Sequence, residues 1–335
     1  MRKLSWYLLV VIVLYCCAEK QEACIDAPVI AEENKVSIAI TRLEKELLAC
    51  KTKEQIRGFI NRYPSIAKSA LRTGAYPSDS VLLEVLVNRF NNPHMDSLRM
   101  EVERVFPSLE TLEADFSRAF SYLKLYYPNF KIPKIYTVTT GFDTDLIISD
   151  STIVIGLDYY LGEGAKFRPL NTPQYIQKRY AKEYIVSSCM LLYASSPAIN
   201  ATDLKDKTLL ADMVFYGKSY YMAKQLMPCL ADSVLMEFTA KELQGSIANQ
   251  DIVWAHFLDN ELLYETNNFI KQKYIGERPK TFDIGEDCPG RIGRWLGWEI
   301  VEQYMDKEDI PIQELMRTKN AQVIFESSNY RPIKN

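Results

Sequence analysis

Two histidines, His94 and His256, are the entire imidazole content of this 335-residue chain, and that restricts its chemistry at once. Zinc proteases set two histidines four residues apart on one helix face, with a glutamate between them as general base. Here the two are far apart in sequence and no HExxH occurs. His94 follows Pro93 in a turn, and His256, beside Trp254, reads as a core or half-buried residue. Serine hydrolase chemistry fares no better, because Gly-x-Ser-x-Gly is absent. Cys189, in the run VSSCMLL (186–192), has the surroundings of a packed helix rather than of an activated nucleophile. No glycine-rich phosphate cradle follows a strand. The 43 acidic residues include no pair singled out by spacing for glycoside hydrolysis. No catalytic, cofactor-binding or metal-ligating residue is therefore assigned.

Two segments are unusual in composition. In 211–224, Gly217 lies inside a helical pattern, where glycine costs about 1 kcal/mol relative to alanine. That implies close approach by a neighbouring element. Lys218 and Lys224 there read as a solvated edge, or as side chains facing a cleft. In 289–305, Gly293 and Gly297 fall one turn apart and offer a shallow strip to another helix. Apolar groups surround most of that helix, as expected for one buried in a core. Arg291 and Arg294 occupy its first turn, against the helix dipole, so acidic side chains should answer them. Glu299 and Glu302 further along, or Asp283, Glu286 and Asp287 just before, are the candidates. Asp158, Lys218, Arg291, Arg294 and Glu299 make up the expected structural or partner cleft.

The amino terminus carries a different kind of chemistry. Arg2 and Lys3 precede an apolar run over 4–14, long enough for a signal peptide and short of the roughly 20 residues that span a bilayer. It ends Leu14-Tyr15-Cys16-Cys17, the form of a lipobox, with Cys17 the residue to be acylated. Choosing Cys16 would place bulky Tyr15 where a small side chain belongs. The other readings of this stretch are an uncleaved anchor or an ordinary signal peptide with incidental cysteines. Each buried methylene of an attached chain adds roughly 0.8 kcal/mol, and a single chain holds only marginally. A diacylglyceryl thioether with a third chain (palmitate in type) makes attachment stable. Cys24, Cys50, Cys189, Cys229 and Cys288 remain, odd in number and without a CxxC, so neither a disulfide framework nor a zinc knuckle is indicated. Sequence does not name the partners of any one disulfide.

Net charge is −3 and the apolar fraction 47%, enough for a substantial core. No basic stripe points to nucleic acid. The expected division is a signal peptide over 1–16, a lipidated cysteine and tether over 17–34, and one globular domain over 35–335. Within it, a helical front and small sheet occupy 35–165 and a helical half 170–335. Strand character is sought at 36–43, helices at 41–59, 78–90 and 97–105. The clearest helix is 112–126, whose Leu112, Phe116, Ala119, Phe120 and Leu123 recur at three- and four-residue steps. Strands follow at 133–140, 146–148 and 152–155, the last two joined by a tight turn at Ser149-Asp150-Ser151. The remainder is helical, with 174–193 and 206–227 the longest stretches. The fold class is α+β, predominantly helical, with a small antiparallel sheet in the middle.

Several of these segments together resemble the gliding motility lipoprotein GldB family of Bacteroidetes-type bacteria. They are FSYLKLYYPNF (120–130), IGLDYYLG (155–162), FYGK (215–218), PGRIGRWLGWEIV (289–301) and SSNYRP (327–332). The resemblance implies an envelope lipoprotein tied to gliding motility and its associated secretion system, with no assigned catalytic residues. It also implies a distant, degenerate zincin-like fold that lacks the metal motif, since 180–193 contains no histidine. The expected function is a non-catalytic lipoprotein that binds or scaffolds cell-envelope proteins of a motility or secretion complex, membrane-anchored and facing the periplasm or cell surface. The alternative is an envelope hydrolase with altered, non-HExxH chemistry.

Overall fold

The computed structural model describes residues 24–170 and 172–332. The segment expected as a signal peptide and Cys17 lie outside the described residues. After strand β1 (Ile40–Arg42) come six helices: α1 (Glu44–Leu48), α2 (Lys53–Arg62), α3 (Pro64–Ala70), α4 (Asp79–Phe90), α5 (Pro93–Val105) and α6 (Glu110–Tyr126). Strands β2 (Lys134–Val138), β3 (Leu146–Ile148) and β4 (Thr152–Gly156) follow. The second half is α7 (Gln174–Gln177), α8 (Tyr184–Ala194), α9 (Leu209–Leu226), α10 (Asp232–Met236), α11 (Ala240–Ala248) and α12 (Gln250–Asp259). It ends with α13 (Asn268–Ile275), α14 (Ile292–Glu308), α15 (Ile312–Arg317) and α16 (Ala321–Ser328).

Local chemistry sets many of these boundaries. Thr52 begins α2 with a capping box to Gln55, which is why the helix expected over 41–59 breaks into two. Thr208 caps α9 and Thr239 closes a capping box with Glu242 on α11. Each such cap stabilises its helix by roughly 1 kcal/mol. The expected stripe of α6 is buried at Leu112, Phe116, Ala119, Phe120 and Leu123. Phe120 meets Tyr193 of α8 edge-on, with ring centroids 5.8 Å apart.

The sheet corrects one expectation. Its strand order is β1-β2-β4-β3. β1 pairs parallel with β2, and β2 parallel with β4; only β3 runs antiparallel, against β4. The turn at Ser149–Ser151 does close a hairpin, but its second strand inserts beside β2 and leaves β3 on the edge. The physical reason lies in β4, where Ile153, Val154 and Ile155 are all buried. An unbroken apolar run covered on both faces belongs in the centre of a parallel arrangement. β1 reaches its parallel place through the six-helix crossover.

α9 and α14 form the central helix pair. Trp295, Leu296, Trp298, Ile300 and Val301 are buried around α14, and Tyr220 of α9 stacks on Trp298. A Cβ on Gly297 would run into the Met213 carbonyl of α9. Gly293 serves a different neighbour, with its Cβ direction 3.1 Å from the Tyr274 carbonyl oxygen of α13. The glycine strip thus seats two helices rather than one.

A disulfide joins Cys24 to Cys229 across 205 residues. Beside it, the Ile25 N–H donates to the Pro228 carbonyl at 3.1 Å. The chain then runs along α6, where Val36 N–H donates to Ser121 Oγ and Ile38 N–H to Ser117 Oγ. Ile40 N–H donates to Glu113 Oε1. The stretch expected as a tether over 17–34 is therefore fastened to the domain at its residue 24.

Candidate functional site

The N-cap of α14 is Arg291, which is only 2% exposed and has φ +63°. Gly290 before it is needed because any Cβ there would overlap the Arg278 carbonyl. The Arg291 guanidinium donates from Nη1 to Glu237 Oε2 at 2.9 Å and from Nη2 to the Met236 carbonyl at 2.9 Å. Its face lies over Phe238, 5.8 Å from the ring centroid. Nε makes no hydrogen bond, and the closest carboxylate oxygen, Glu277 Oε1, stands 3.7 Å away.

Arg179 completes the cluster. It pairs with Glu237 Oε2 at 3.1 Å and with Glu277 Oε1 at 2.8 Å. Burial raises the Glu277 carboxyl, but the Arg179 hydrogen bond and the charges of Arg291, Arg179 and Arg294 outweigh it, so Glu277 titrates below its ordinary value. Glu237 is also left-handed, at φ +55°. Non-glycine residues held in this region cost on the order of 1–3 kcal/mol each. Here one ion pair joins two of them. The surrounding fold fixes the pair against its own backbone preference.

The cluster opens into a pocket of about 560 Å³. Lys178, Arg179, Arg278 and Arg291 supply four cationic groups to its wall, against the two carboxylates Glu237 and Glu242. Tyr175, Tyr184 and Phe238 supply aromatic surface. Such a wall can hold an acidic group between guanidinium planes. It contains no histidine, cysteine or serine to act as nucleophile.

The five residues expected to share a cleft do not converge. Arg291 alone of the five lines the pocket. Arg294, one turn along, donates from Nε to the Ile275 carbonyl at 2.6 Å and lies 4.2 Å from the Tyr216 ring centroid. Lys218 is buried rather than at a solvated edge. Its Nζ donates to the carbonyls of Ala201, Met316 and Thr318 at 2.8, 3.2 and 2.7 Å. Burial pushes that amine down to about 7. Lys224 is buried too, against Asp232 and the Leu230 carbonyl. Asp158 Oδ2 accepts from the N–H groups of Thr140, Gly141 and Phe142 and shapes the turn after β2. Burial raises its carboxyl to about 6. Glu299 accepts from Gln250 Nε2 at 2.8 Å, and burial, aided by the charge of Asp232, lifts it to about 7.

The acids expected to answer Arg291 are also corrected: Glu237 and Glu277 do so, not Glu299, Glu302, Asp283, Glu286 or Asp287. For Arg294 a carbonyl and an aromatic ring take that place. Sequence reasoning missed Arg179, Glu237 and Glu277. A signal existed for two of them. Glu237 sits between the end of one helix and the Thr239 cap of the next, and Glu277 opens the loop before Pro279. Arg179 was hidden inside a stretch that reads as one helix over 174–193 but divides into α7 and α8.

Neither histidine nor Cys189 is arranged for nucleophilic chemistry. His256 Nε2 lies 2.9 Å from the Tyr274 hydroxyl, a satisfied, half-buried side chain. His94 is exposed. The Cys189 thiol is fully buried, and desolvation pushes it far above its ordinary value, the reverse of what a thiolate nucleophile needs. Among the described residues, no group of three or more histidine, cysteine, aspartate or glutamate side chains is placed to hold a metal ion.

No curated protein and no solved structure matches the chain, so the zincin-like fold implied by resemblance gains no support. The sequence pattern of the family described as gliding motility protein GldB matches residues 24–332, almost the whole chain. The chain belongs to the GldB gliding-motility lipoprotein family.

Proposed function

We propose that this protein is a non-catalytic lipoprotein, acylated at Cys17, that holds an acidic segment of another envelope protein in the Arg291 pocket. Family membership supports a cell-envelope location and a partnership with the motility apparatus. The observation that carries the reading is the pocket wall itself. Lys178, Arg179, Arg278 and Arg291 line it with Glu237 and Glu242, on strained backbone at Glu237 and Arg291, and no histidine, cysteine or serine lies among the lining residues. Two guanidinium groups fixed by Glu237 and Glu277 on strained backbone, with the exposed Lys178 amine on the same wall, suit recognition of an anion better than bond cleavage. The partner belongs to the gliding machinery or its secretion system, and the domain faces the periplasm or cell surface.

A photo-crosslinking side chain at the exposed Lys178 position, introduced into the full-length protein in native membranes, tests this. It should capture a defined envelope protein, and Arg179→Ala should abolish capture while thermal melting shows the domain still folded. A capture pattern unchanged by Arg179→Ala would overturn the assignment of the pocket.

A further inference from the structure

The Cys24–Cys229 disulfide does more than join two distant segments. We propose that it makes the Cys229 end of the domain the end that faces the lipid bilayer, and holds it there at short range. The inference rests on acylation at Cys17. Seven residue steps separate Cys17 from Cys24, and a chain spans at most about 3.3–3.6 Å per step. Cys24 therefore lies within roughly 25 Å of the acylated residue, whatever path the intervening chain takes. Through the disulfide, so does Cys229.

Without that bond the reach would be much greater. Beyond the Ile25–Pro228 hydrogen bond, the next from this segment to the body of the domain, among the described residues, is Val36 N–H to Ser121 Oγ. Nineteen steps from Cys17 to Val36 allow about 65 Å, more than a domain of this size measures across. A radius of gyration near 20 Å is expected for about 310 residues. The disulfide thus turns a tether that would permit any orientation into one that selects an end.

The helix α9 identifies the two ends. Its C-terminus at Leu226 leads directly to Pro228 and Cys229. At the other end of this 18-residue helix, Leu209 N–H donates to the Glu265 carbonyl. A helix of that length separates its ends by roughly 27 Å. Beside Cys229 lie Arg118, Lys182, Asp115, Glu183 and Leu230 around an open cavity. These are the side chains brought nearest the lipid headgroups.

The test places the full-length lipidated protein in vesicles of phosphatidylethanolamine and phosphatidylglycerol that contain a headgroup-labelled acceptor lipid. A fluorescent donor is introduced at exposed Arg118 or at exposed Thr266, next to Glu265. Energy transfer should be clearly higher from position 118 than from 266. In the Cys24→Ser, Cys229→Ser double variant that difference should be lost. Because the double variant could fail to fold, insertion of about a dozen glycine and serine residues within 18–23 provides a second route. It leaves the disulfide intact and should erase the difference equally. Equal transfer from both positions in the native protein, or a difference that survives the insertion, would overturn the proposal. Flotation with the vesicles separates the two claims. Protein that does not float removes the anchor and the orientation together, whereas floating protein with equal transfer removes the orientation alone.

Discussion

Gly217 of α9 faces Gly297 of α14 so closely that a Cβ on Gly217 would overlap the Gly297 carbonyl. The obstacle on both sides is backbone: Gly297 meets the Met213 carbonyl in the same way. Neither can rotate aside as a flexible side chain would. Gly297→Ala should therefore destabilise the fold despite alanine's helix preference of about 1 kcal/mol. Overpacking typically costs 1–3 kcal/mol, and Gly297→Leu should stand at or beyond the upper end. Gly58 is the control. It lies exposed in α2 with nothing near its Cβ direction, so Gly58→Ala should gain about 0.5–1 kcal/mol. Thermal melting of the three variants decides it, and an unchanged Gly297→Ala midpoint would contradict the helix contact.

This contact was legible in the sequence because a glycine inside a periodic apolar helix has few other uses. The α6 stripe and the Ser149–Ser151 turn were legible for the same reason: each depends on residues a few positions apart. The parallel β1–β2 pair was not. Its strands are separated by six helices, and nothing local in Ile40–Arg42 names Ile135–Thr137 as its partner. The pocket escaped for a related cause. Arg179, Glu237, Glu277 and Arg291 come from four segments, and charge alone matches any acid to any base. Cys24 and Cys229 stand 205 residues apart, a pairing only the fold can select.

Acylation should require Cys17 and not Cys16. Cys17→Ser should abolish incorporation of labelled fatty acid and release the chain from membranes, while Cys16→Ser keeps both. Labelling that persists in Cys17→Ser would move the anchor elsewhere and remove the short tether with it.

At Arg291 two substitutions separate charge from backbone strain. Arg291→Ala removes the guanidinium from Glu237 yet keeps a Cβ at φ +63°. Breaking a buried ion pair typically costs about 3–5 kcal/mol, and the solvent access of Glu237 places this case at the lower end. Arg291→Gly loses the same charge but relieves the left-handed backbone, a gain on the order of 1 kcal/mol. Arg291→Gly should accordingly melt above Arg291→Ala, although below the native protein. The reverse order would show that the backbone there is unstrained.

The last prediction concerns pH. Glu299 and Glu302 lie one turn apart on α14, facing Gln250, Asp232 and Lys224. Burial raises Glu302 to about 8, with the charges of Glu299, Asp232 and Asp306 adding to it and Lys224 opposing. Glu299 is raised to about 7. Both carboxyls are therefore held above their unfolded values near 4.5. Between those limits the folded chain binds more protons than the unfolded one, so stability falls as pH rises. The contribution is full below about pH 4.5 and gone once pH passes 7 to 8. Each group can lose up to about 1.4 kcal/mol per pH unit across its window. Lys218 acts in the opposite sense, since its amine is lowered to about 7; above that pH the unfolded chain binds the extra proton and stability recovers. Melting temperature should thus decline from pH 5 to about 8 and then level or rise. Glu302→Gln keeps the shape without the charge, so it should flatten the decline and melt above the native protein at pH 8. A Glu302→Gln curve parallel to the native one would show that this carboxyl carries no proton of its own in the folded state.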